Sequence, residues 1–486
     1  MTVNCDVIIV GAGAVGCACA REFSAYDLKT VVLEKEYDVA AGTSGRNSAV
    51  VHAGFNNTPN SLMARLCVEG SKGFSALCRD LGVPLVNTGK VLVAFSDEDM
   101  ETLKALIAKG ETNGCEGLRL LDREELSKRV PGVGGIGGME SPNTSVFDPF
   151  LYTVALAENA AANGAEFRFG AEVKAIVREN GVFRVETPAG EFCAPVLVNS
   201  AGLAAAKVSA LAGVEGYRIY PCRGEYLILE GDPELLNVPV YPAPRKGIGG
   251  LGVHLTVTTE GDILIGPSAE YISDPGDTAS TAEIQEKLLT EAAMLLPELR
   301  GRTPVGAYCG IRAKQAPPEK GGFFDFTIRA EESCRGLINL IGIESPGLTA
   351  SVPIAKRVRK LAEEFLPMEK KADFDPTRKP TPVFRNLSDA ERARLIKEDP
   401  NWGEIVCRCR NVTKAEILAA ANNPLGVRTV AAIKYRTRAT TGRCQAGYCL
   451  GRIADILIND LGMSPEEVTL RGAGSEFFTG ERGSEK

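Results

Sequence analysis

The sequence predicts an α/β chain: a layer of parallel strands and helices, an antiparallel sheet inserted into it, and a small separate C-terminal domain. Three observations predict this. The apolar run Asp6-Val-Ile-Ile-Val10 leads into a glycine-rich turn, a helical pattern and a second apolar run, Thr30-Val-Val-Leu-Glu34. Such runs read as strands buried on both faces of a parallel sheet. Residues from about 217 to 330 are short strands broken by Gly and Pro, the pattern of an antiparallel sheet. After Phe365 the composition turns to charges and prolines, and four cysteines cluster beyond it.

The elements follow in order. Cys17 to Ser24 reads as the helix of the first unit. Between Glu166 and Gly202 the pattern alternates, and Asn180-Gly181 reads as a tight turn between Val173–Arg178 and Val182–Glu186. Pro195 to Gly202 is a further apolar strand, Leu337 to Ile341 another, and Leu348 to Phe365 a helix. Residues 366–400 read as a linker, with Pro367, Pro376, Pro380 and Pro382 among charges and one helix opened by the capping box Ser388-Asp-Ala-Glu391. The compact segment 401–460 carries a second capping box, Thr413-Lys-Ala-Glu416, and residues 461–486 read as a tail that frays after about Leu470. Residues 1–365 thus form the main unit, with its inserted sheet mainly at about 217–330.

Composition narrows the function. The net charge of −7 argues against a nucleic-acid binder. No apolar run approaches the roughly 20 residues that span a bilayer. Met1 to Asp6 lacks the basic region of a signal peptide, so a cytoplasmic location is expected. In that compartment the 14 cysteines are expected as thiols or metal ligands, not disulfides. Ten are scattered and read as small buried apolar side chains.

Gly11, Gly13 and Gly16 fit G-x-G-x-x-G between a strand and a helix. The glycines allow a tight turn and close approach to a pyrophosphate, which the helix N-terminus attracts. Glu34, ending the second strand, is placed to accept hydrogen bonds from an adenosine ribose. The unit does not decide between FAD and NAD. A second glycine-rich turn, Gly342-Ile-Glu-Ser-Pro-Gly347-Leu-Thr349, offers backbone N–H groups to a developing negative charge.

With these, Thr43-Ser-Gly-Arg-Asn-Ser-Ala-Val-Val-His52-Ala-Gly54, Gly252-Val-His254-Leu-Thr256 and Gly310-Ile-Arg312 resemble the FAD-dependent D-amino-acid-oxidase-like superfamily over roughly residues 4–365. Ser44 to Gly70 and Pro221-Cys-Arg-Gly-Glu-Tyr226 are similar to L-2-hydroxyglutarate dehydrogenases. The whole layout is similar to the A subunits of anaerobic glycerol-3-phosphate dehydrogenases. The resemblance implies an FAD-binding Rossmann-like domain with an inserted substrate domain. It implies that Gly11, Gly13, Gly16 and Glu34 hold the ADP part and that Ser44, Arg46, Asn47 and Ser48 line the middle of the flavin. Val173 falls near the adenine, and Gly347, Leu348 and Thr349 approach the ring.

His52 and His254 are the only histidines, and both lie in these stretches. Oxidising a carbinol requires a base for the hydroxyl proton, and histidine suits that task; the alternative is a satisfied structural side chain. Arg312 resembles the family arginine that grips the substrate anion, and its fork fits carboxylate or phosphate. Lys314, Arg223 and Arg65 are further candidate cations.

Cys407-Arg-Cys409 and Cys444-Gln-Ala-Gly-Tyr-Cys449 suit either zinc or a [2Fe–2S] cluster. With Thr441-Gly-Arg-Cys444 they resemble the bacterioferritin-associated ferredoxin-like domain, which implies the cluster. A relay of single electrons also gives a two-electron flavin its outlet. Lys434, Arg436, Arg438 and Arg443 are expected to offset the cluster's charge, to dock an acidic partner, or to form a solvated face.

The reading is an FAD-dependent dehydrogenase of a small anionic secondary alcohol, first sn-glycerol 3-phosphate to dihydroxyacetone phosphate. Its electrons pass through the [2Fe–2S] cluster to a quinone or an electron-accepting partner subunit, with peripheral contact at the inner membrane face through partners. An L-2-hydroxy acid is the alternative substrate, and an amino acid or amine the third. An electron-transfer subunit without a substrate of its own is the alternative of another class.

Overall fold

The computed structural model describes residues 2–244 and 252–480. A six-stranded sheet runs in the order Glu166–Arg168, Thr30–Leu33, Val7–Val10, Val196–Asn199, Leu337–Ile341, Thr327–Ala330. Its first five strands are parallel and the last is antiparallel. The central strands are fully buried, as their unbroken Val, Ile and Leu require. Helices Ala14–Ser24, Pro149–Ala162 and Gly347–Ala362 cover one face in a common core. A four-stranded sheet covers the other side, and its hairpin joins Ala175–Glu179 to Val182–Thr187. Asn180 and Gly181 both take positive φ there, +51° and +83°, the conformation of a type I′ turn.

The second layer is a nine-stranded sheet. It departs from the expected insertion in two ways. Lys90–Ala94, Arg119–Leu121 and Gly137–Ser141 belong to it, so the layer is assembled from two separated stretches of chain. One pair, Val240–Pro242 with Lys90–Ala94, is parallel where the rest is antiparallel. That pair is the seam between the two stretches. Residues 245–251 of the expected sheet region lie outside the described residues.

Residues 366–400 are irregular but not a free linker. Asp27 N–H donates to Glu369 O, Arg21 Nη2 to Pro376 O, and Asn159 Nδ2 to the carbonyls of Asp375 and Thr377. Pro380 packs on Gly82, and Arg378 pairs with buried Glu158. The segment is a strap along the main unit, with the capped helix Asp389–Glu398 at its end.

The C-terminal domain has its own core around Val406, Ile417, Ile433, Ile453 and Leu457. The chain beyond residue 461, expected as a tail, folds back on that core as far as Phe477. Val468 and Phe477 pack on that core, and Val430 N–H donates to Thr469 O.

Candidate active site and cysteine centre

The glycine turn after Val10 is demanded by packing. Gly11 has φ of +98°, and a Cβ on Gly16 would lie 1.9 Å from Gly11 O. Ala12 N–H donates to Glu34 Oε2 at 2.6 Å, and Glu36 N–H donates to Oε1 at 2.9 Å. Burial raises the Glu34 carboxyl above its ordinary range, and these two amides oppose it. Glu34 therefore ties the turn down where the resemblance sets the ribose. Val173 is buried beside Val31 and Leu33. It precedes the strand that begins at Ala175 and is not inside it.

Among the helices of ten or more described residues, two stand out by their starts. Leu62–Leu81, Asp97–Asn113 and Pro149–Ala162 are each capped by a Ser or Asp side chain. Ala14–Ser24 begins on Gly13 and Gly347–Ala362 on Pro346, with no cap from the preceding side chain and no acid in the first turn. Ser44 Oγ takes only Ala14 N–H, at 2.9 Å. Open helix N-termini leave amide donors and positive potential for an anion. An extended dinucleotide fits this arrangement, with its pyrophosphate at the first helix and its ring at the second.

The second turn differs from expectation in one respect. Gly347 N–H is spent on Glu344 O at 2.6 Å, so it is not free for a ligand. The Glu344 carboxylate binds Lys314 Nζ at 2.9 Å, both fully buried, which braces the turn on the second layer. Arg223 likewise pairs with Glu270 and Asp277. Neither Lys314 nor Arg223 is free for substrate. Arg65 starts no ion pair among the described residues and lies outside the cavity lining.

Thr43 to Ser48 is stapled to strand Gly306–Lys314. Thr43 Oγ1 donates to Ile311 O at 2.7 Å, and Tyr308 Oη donates to Asn47 O at 2.8 Å. Asn47 Nδ2 holds Ser44 O, while Ala49 N–H donates to Asn47 Oδ1. A Cβ on Gly310 would sit 2.0 Å from Arg46 O, so only glycine allows this approach.

A cavity of about 470 Å³ opens between the layers, walled by His52, Lys90, Tyr241, Ser345, Phe323 and Asp325 among others. His52 lies in it, with Nε2 3.4 Å from Ser345 Oγ and its backbone N–H on Thr349 Oγ1 at 3.1 Å. His254 does not line it. Its ring stacks on Tyr241 at 3.8 Å, behind that wall. His254 Nδ1 is 3.1 Å from Gly252 O, a carbonyl that can only accept, so Nδ1 carries the proton. Nε2 is then a buried lone pair with no partner among the described residues. Burial lowers both imidazoles to about 3, with Lys90 adding to the effect, so both are neutral near pH 7. Arg312 is half-buried and donates from Nη1 and Nη2 to Ser268 O, at 3.3 and 3.2 Å. It lies outside the cavity lining, close enough to His254 to lower its basicity.

Sequence reasoning missed Lys90. It opens the apolar strand Lys90–Ala94 and is 2% exposed. A lone Lys at the head of Val-Leu-Val-Ala-Phe was the available signal.

In the C-terminal domain Cys407 and Cys449 are buried, while Cys409 and Cys444 are exposed. Cys449 neighbours Cys407, and Cys444 neighbours Cys409. Among the described residues no three His, Cys, Asp or Glu converge on a single ion. Four thiols in two pairs supply the donor set that a [2Fe–2S] cluster takes. The loops around them are strained to match. Asn411, Arg438, Thr440, Gln445 and Ala446 all hold positive φ, a cost that ordered functional loops bear. A Cβ on Gly442 would lie 2.2 Å from Cys409 Cβ. Cys449 directly precedes a short helix, Leu450–Asp455.

Three of the four flanking cations are used within the chain, and Lys434 forms no ion pair among the described residues. Arg436 binds Asp38 and Glu158, Arg438 binds Asp148, and Arg443 binds Glu230. Tyr435 stacks on Phe150 at 4.2 Å, and Phe150 in turn fills the space that Gly45 leaves open. Arg410, next to Cys409, pairs with Asp262 of the second layer at 3.0 Å.

Comparison with known proteins agrees with this geometry. The family described as FAD dependent oxidoreductase matches residues 6–361, and the BFD-like [2Fe-2S] binding domain matches residues 405–459. A glycerol 3-phosphate dehydrogenase of Caloramator mitchellensis is 35% identical over 484 residues, covering 99% of each chain. The mitochondrial L-2-hydroxyglutarate dehydrogenase of Arabidopsis thaliana is 33% identical, over 74% of this chain and 83% of its own. Among solved structures, the dithionite-reduced L-alpha-glycerophosphate oxidase of Mycoplasma pneumoniae with FAD bound superposes with a TM-score of 0.73 at 28% identity. It covers 78% of this chain and 99% of its own.

Proposed function

This chain belongs to the FAD dependent oxidoreductase family, and from that premise we propose that it is a dehydrogenase of small anionic secondary alcohols, first sn-glycerol 3-phosphate. The observation that carries the reading is the match to a glycerol 3-phosphate dehydrogenase through both modules at once, over 99% of each chain. An L-2-hydroxy acid is the second reading, favoured by the L-2-hydroxyglutarate dehydrogenase relative.

When bound, FAD supplies the two-electron acceptor for the carbinol hydride, and the [2Fe–2S] cluster supplies a one-electron outlet. His52, walling the cavity, takes the hydroxyl proton at Nε2. In the neutral tautomer that carries its proton on Nδ1, Nε2 offers a lone pair, and an anionic substrate beside it raises its basicity as the reaction needs. His254 holds the wall from behind, with its tautomer fixed by Gly252 O. Arg312 keeps two N–H groups on Ser268 O and adds positive potential to that layer. Phe323 and Phe324 at the cavity limit the water that reaches it.

Among the described residues no helix is long and apolar enough to cross a membrane. The electron outlet in this reading is a quinone or an electron-accepting partner subunit, with contact at the inner membrane face through partners. Anaerobic mixing of the holoprotein with sn-glycerol 3-phosphate, L-2-hydroxyglutarate and neutral glycerol tests the reading. Bleaching of the flavin by an anionic alcohol and not by glycerol is expected. Bleaching by none of them favours an electron-transfer subunit without a substrate.

A further inference from the structure

Three Lys or Arg residues are buried among the described residues: Lys90, Arg223 and Lys314. Arg223 and Lys314 each hold carboxylates. Lys90 does not. Its Nζ lies 4.6 Å from the Phe55 ring centroid and 4.5 Å from that of Tyr241, and the acids that act on it are the thiols of Cys67 and Cys115, which burial keeps protonated. Two ring faces return only part of what desolvating an ammonium costs. Buried cations are otherwise paired, as the other two are here.

The unpaired group also sits in the right place. Lys90 walls the cavity that contains His52. Asp325, the acid in the same wall, is already engaged. Its carboxylate accepts the N–H groups of Leu62, Met63 and Phe326. Arg312, the cation expected to grip the substrate, lies outside this lining with its guanidinium on Ser268 O. The cavity thus contains a proton acceptor and a cation with no anion among the described residues.

We infer that Lys90 is the cation that receives the anionic group of the substrate, a carboxylate or phosphate oxyanion, in the cavity beside His52. The inference rests on the dehydrogenase reading above, which named Arg312 for no such contact. Phe55 and Tyr241 hold the ammonium in place by their faces and offer it no competing acceptor. Burial lowers Lys90 to about 8, as expected of a cation waiting for a partner.

The test uses holoprotein with Lys90→Met and Lys90→Arg. The oxidised flavin spectrum is titrated with inorganic phosphate and with malonate, neither of which can reduce it. Anaerobic rapid mixing with sn-glycerol 3-phosphate and L-2-hydroxyglutarate then separates Kd from the limiting reduction rate. Lys90→Met is expected to raise Kd at least about 30-fold, the lower end for losing one partner of a buried charge pair. The limiting rate should stay within about threefold and FAD content should be unchanged, while Lys90→Arg recovers most of the affinity because it keeps the charge. Wild type responding to phosphate alone identifies a phosphate ester, and to malonate alone a carboxylate. If Lys90→Met loses FAD, Lys90→Gln takes its place. Equal Kd in wild type and variant overturns the inference. So does a wild type whose flavin spectrum answers neither anion, or a variant that changes only the rate. Failure of every alcohol to bleach wild type, with the anion titrations intact, overturns the dehydrogenase reading and leaves Lys90 as an anion site.

Discussion

Arg436 of the C-terminal domain reaches Asp38 of the first layer, Nη1 to Oδ2 at 2.8 Å, with both side chains more than nine-tenths buried. Its Nε binds Glu158 Oε1 at 3.0 Å, and the other oxygen of Glu158 binds Arg378 of the strap. One acid therefore fastens both the strap and the domain that follows it. The cysteine domain is clamped to the main unit, where composition alone suggested a tether.

Removing Arg436 leaves buried Asp38 without its cation and Glu158 with Arg378 alone. Arg436→Met is expected to destabilise the holoprotein by about 3–5 kcal/mol, the range for breaking a buried ion pair from one side. Adding Asp38→Asn should return part of that loss. Denaturant unfolding of the three proteins checks this. A loss below 1 kcal/mol would mean that the clamp is not maintained in solution.

The two histidines are expected to separate. His52→Ala should slow flavin reduction by about 10²-fold, the usual scale for a lost general base. His254→Ala should cost less, because Tyr241 lies between it and the cavity. Rapid-reaction kinetics with saturating substrate decides the order. The reverse ranking would move the base to His254.

Much of this was legible from local pattern. The turn Gly11 to Gly16 with Glu34, the Asn180-Gly181 hairpin and the capping boxes at Ser388 and Thr413 are each set by residues close in sequence. What was missed is non-local. Lys90–Ala94 pairs with Val240–Pro242 far along the chain, and nothing in either strand names its partner. Asp375, Thr377 and Arg378 look like linker residues until Asn159 and Glu158 are beside them. Arg436 and Arg438 looked like a basic face because their acids, Asp38 and Asp148, come from other elements.

Substrate affinity should fall in alkali through Lys90. Burial lowers its ammonium to about 8 in the free protein, so it is charged below that pH and neutral above it. A bound anion favours the charged form, so the free protein sets the break. The groups that face it hold their state over the same range. Cys67 and Cys115 are raised to about 12 and 11, Tyr241 is raised further by burial, and both imidazoles are neutral. Kd for substrate should be flat from pH 7 to about 8 and then rise about tenfold per pH unit, as loss of one required proton dictates. Lys90→Arg should remove the break. Anaerobic titrations between pH 7 and 10, where the substrate's own charge is constant, measure it. A break retained in Lys90→Arg would assign it to another group.

The last expectation separates the two cofactor sites. Cys407 is buried with Cys449 in the core of the C-terminal domain, and Cys409 and Cys444 are exposed. Replacing Cys407 with Ser takes one thiolate from the four-thiolate set. Cluster absorbance should be lost, together with turnover of a one-electron acceptor that draws on the cluster. The FAD site should survive. Gly11, Glu34 and the segment Thr43 to Ser48 are held by contacts within the main unit, such as Ala12 N–H to Glu34 and Tyr308 Oη to Asn47 O. The clamp from Arg436 to Asp38 and Glu158 does not involve the cysteines, so the domain should stay docked. Substrate should then bleach the flavin once, with no route onward. Iron analysis, the visible spectrum and anaerobic single turnover read these three outcomes separately. A Cys407→Ser protein that still feeds the acceptor at the wild-type rate would show that electrons leave the flavin by another exit, and zinc in place of iron would make the cysteine centre structural.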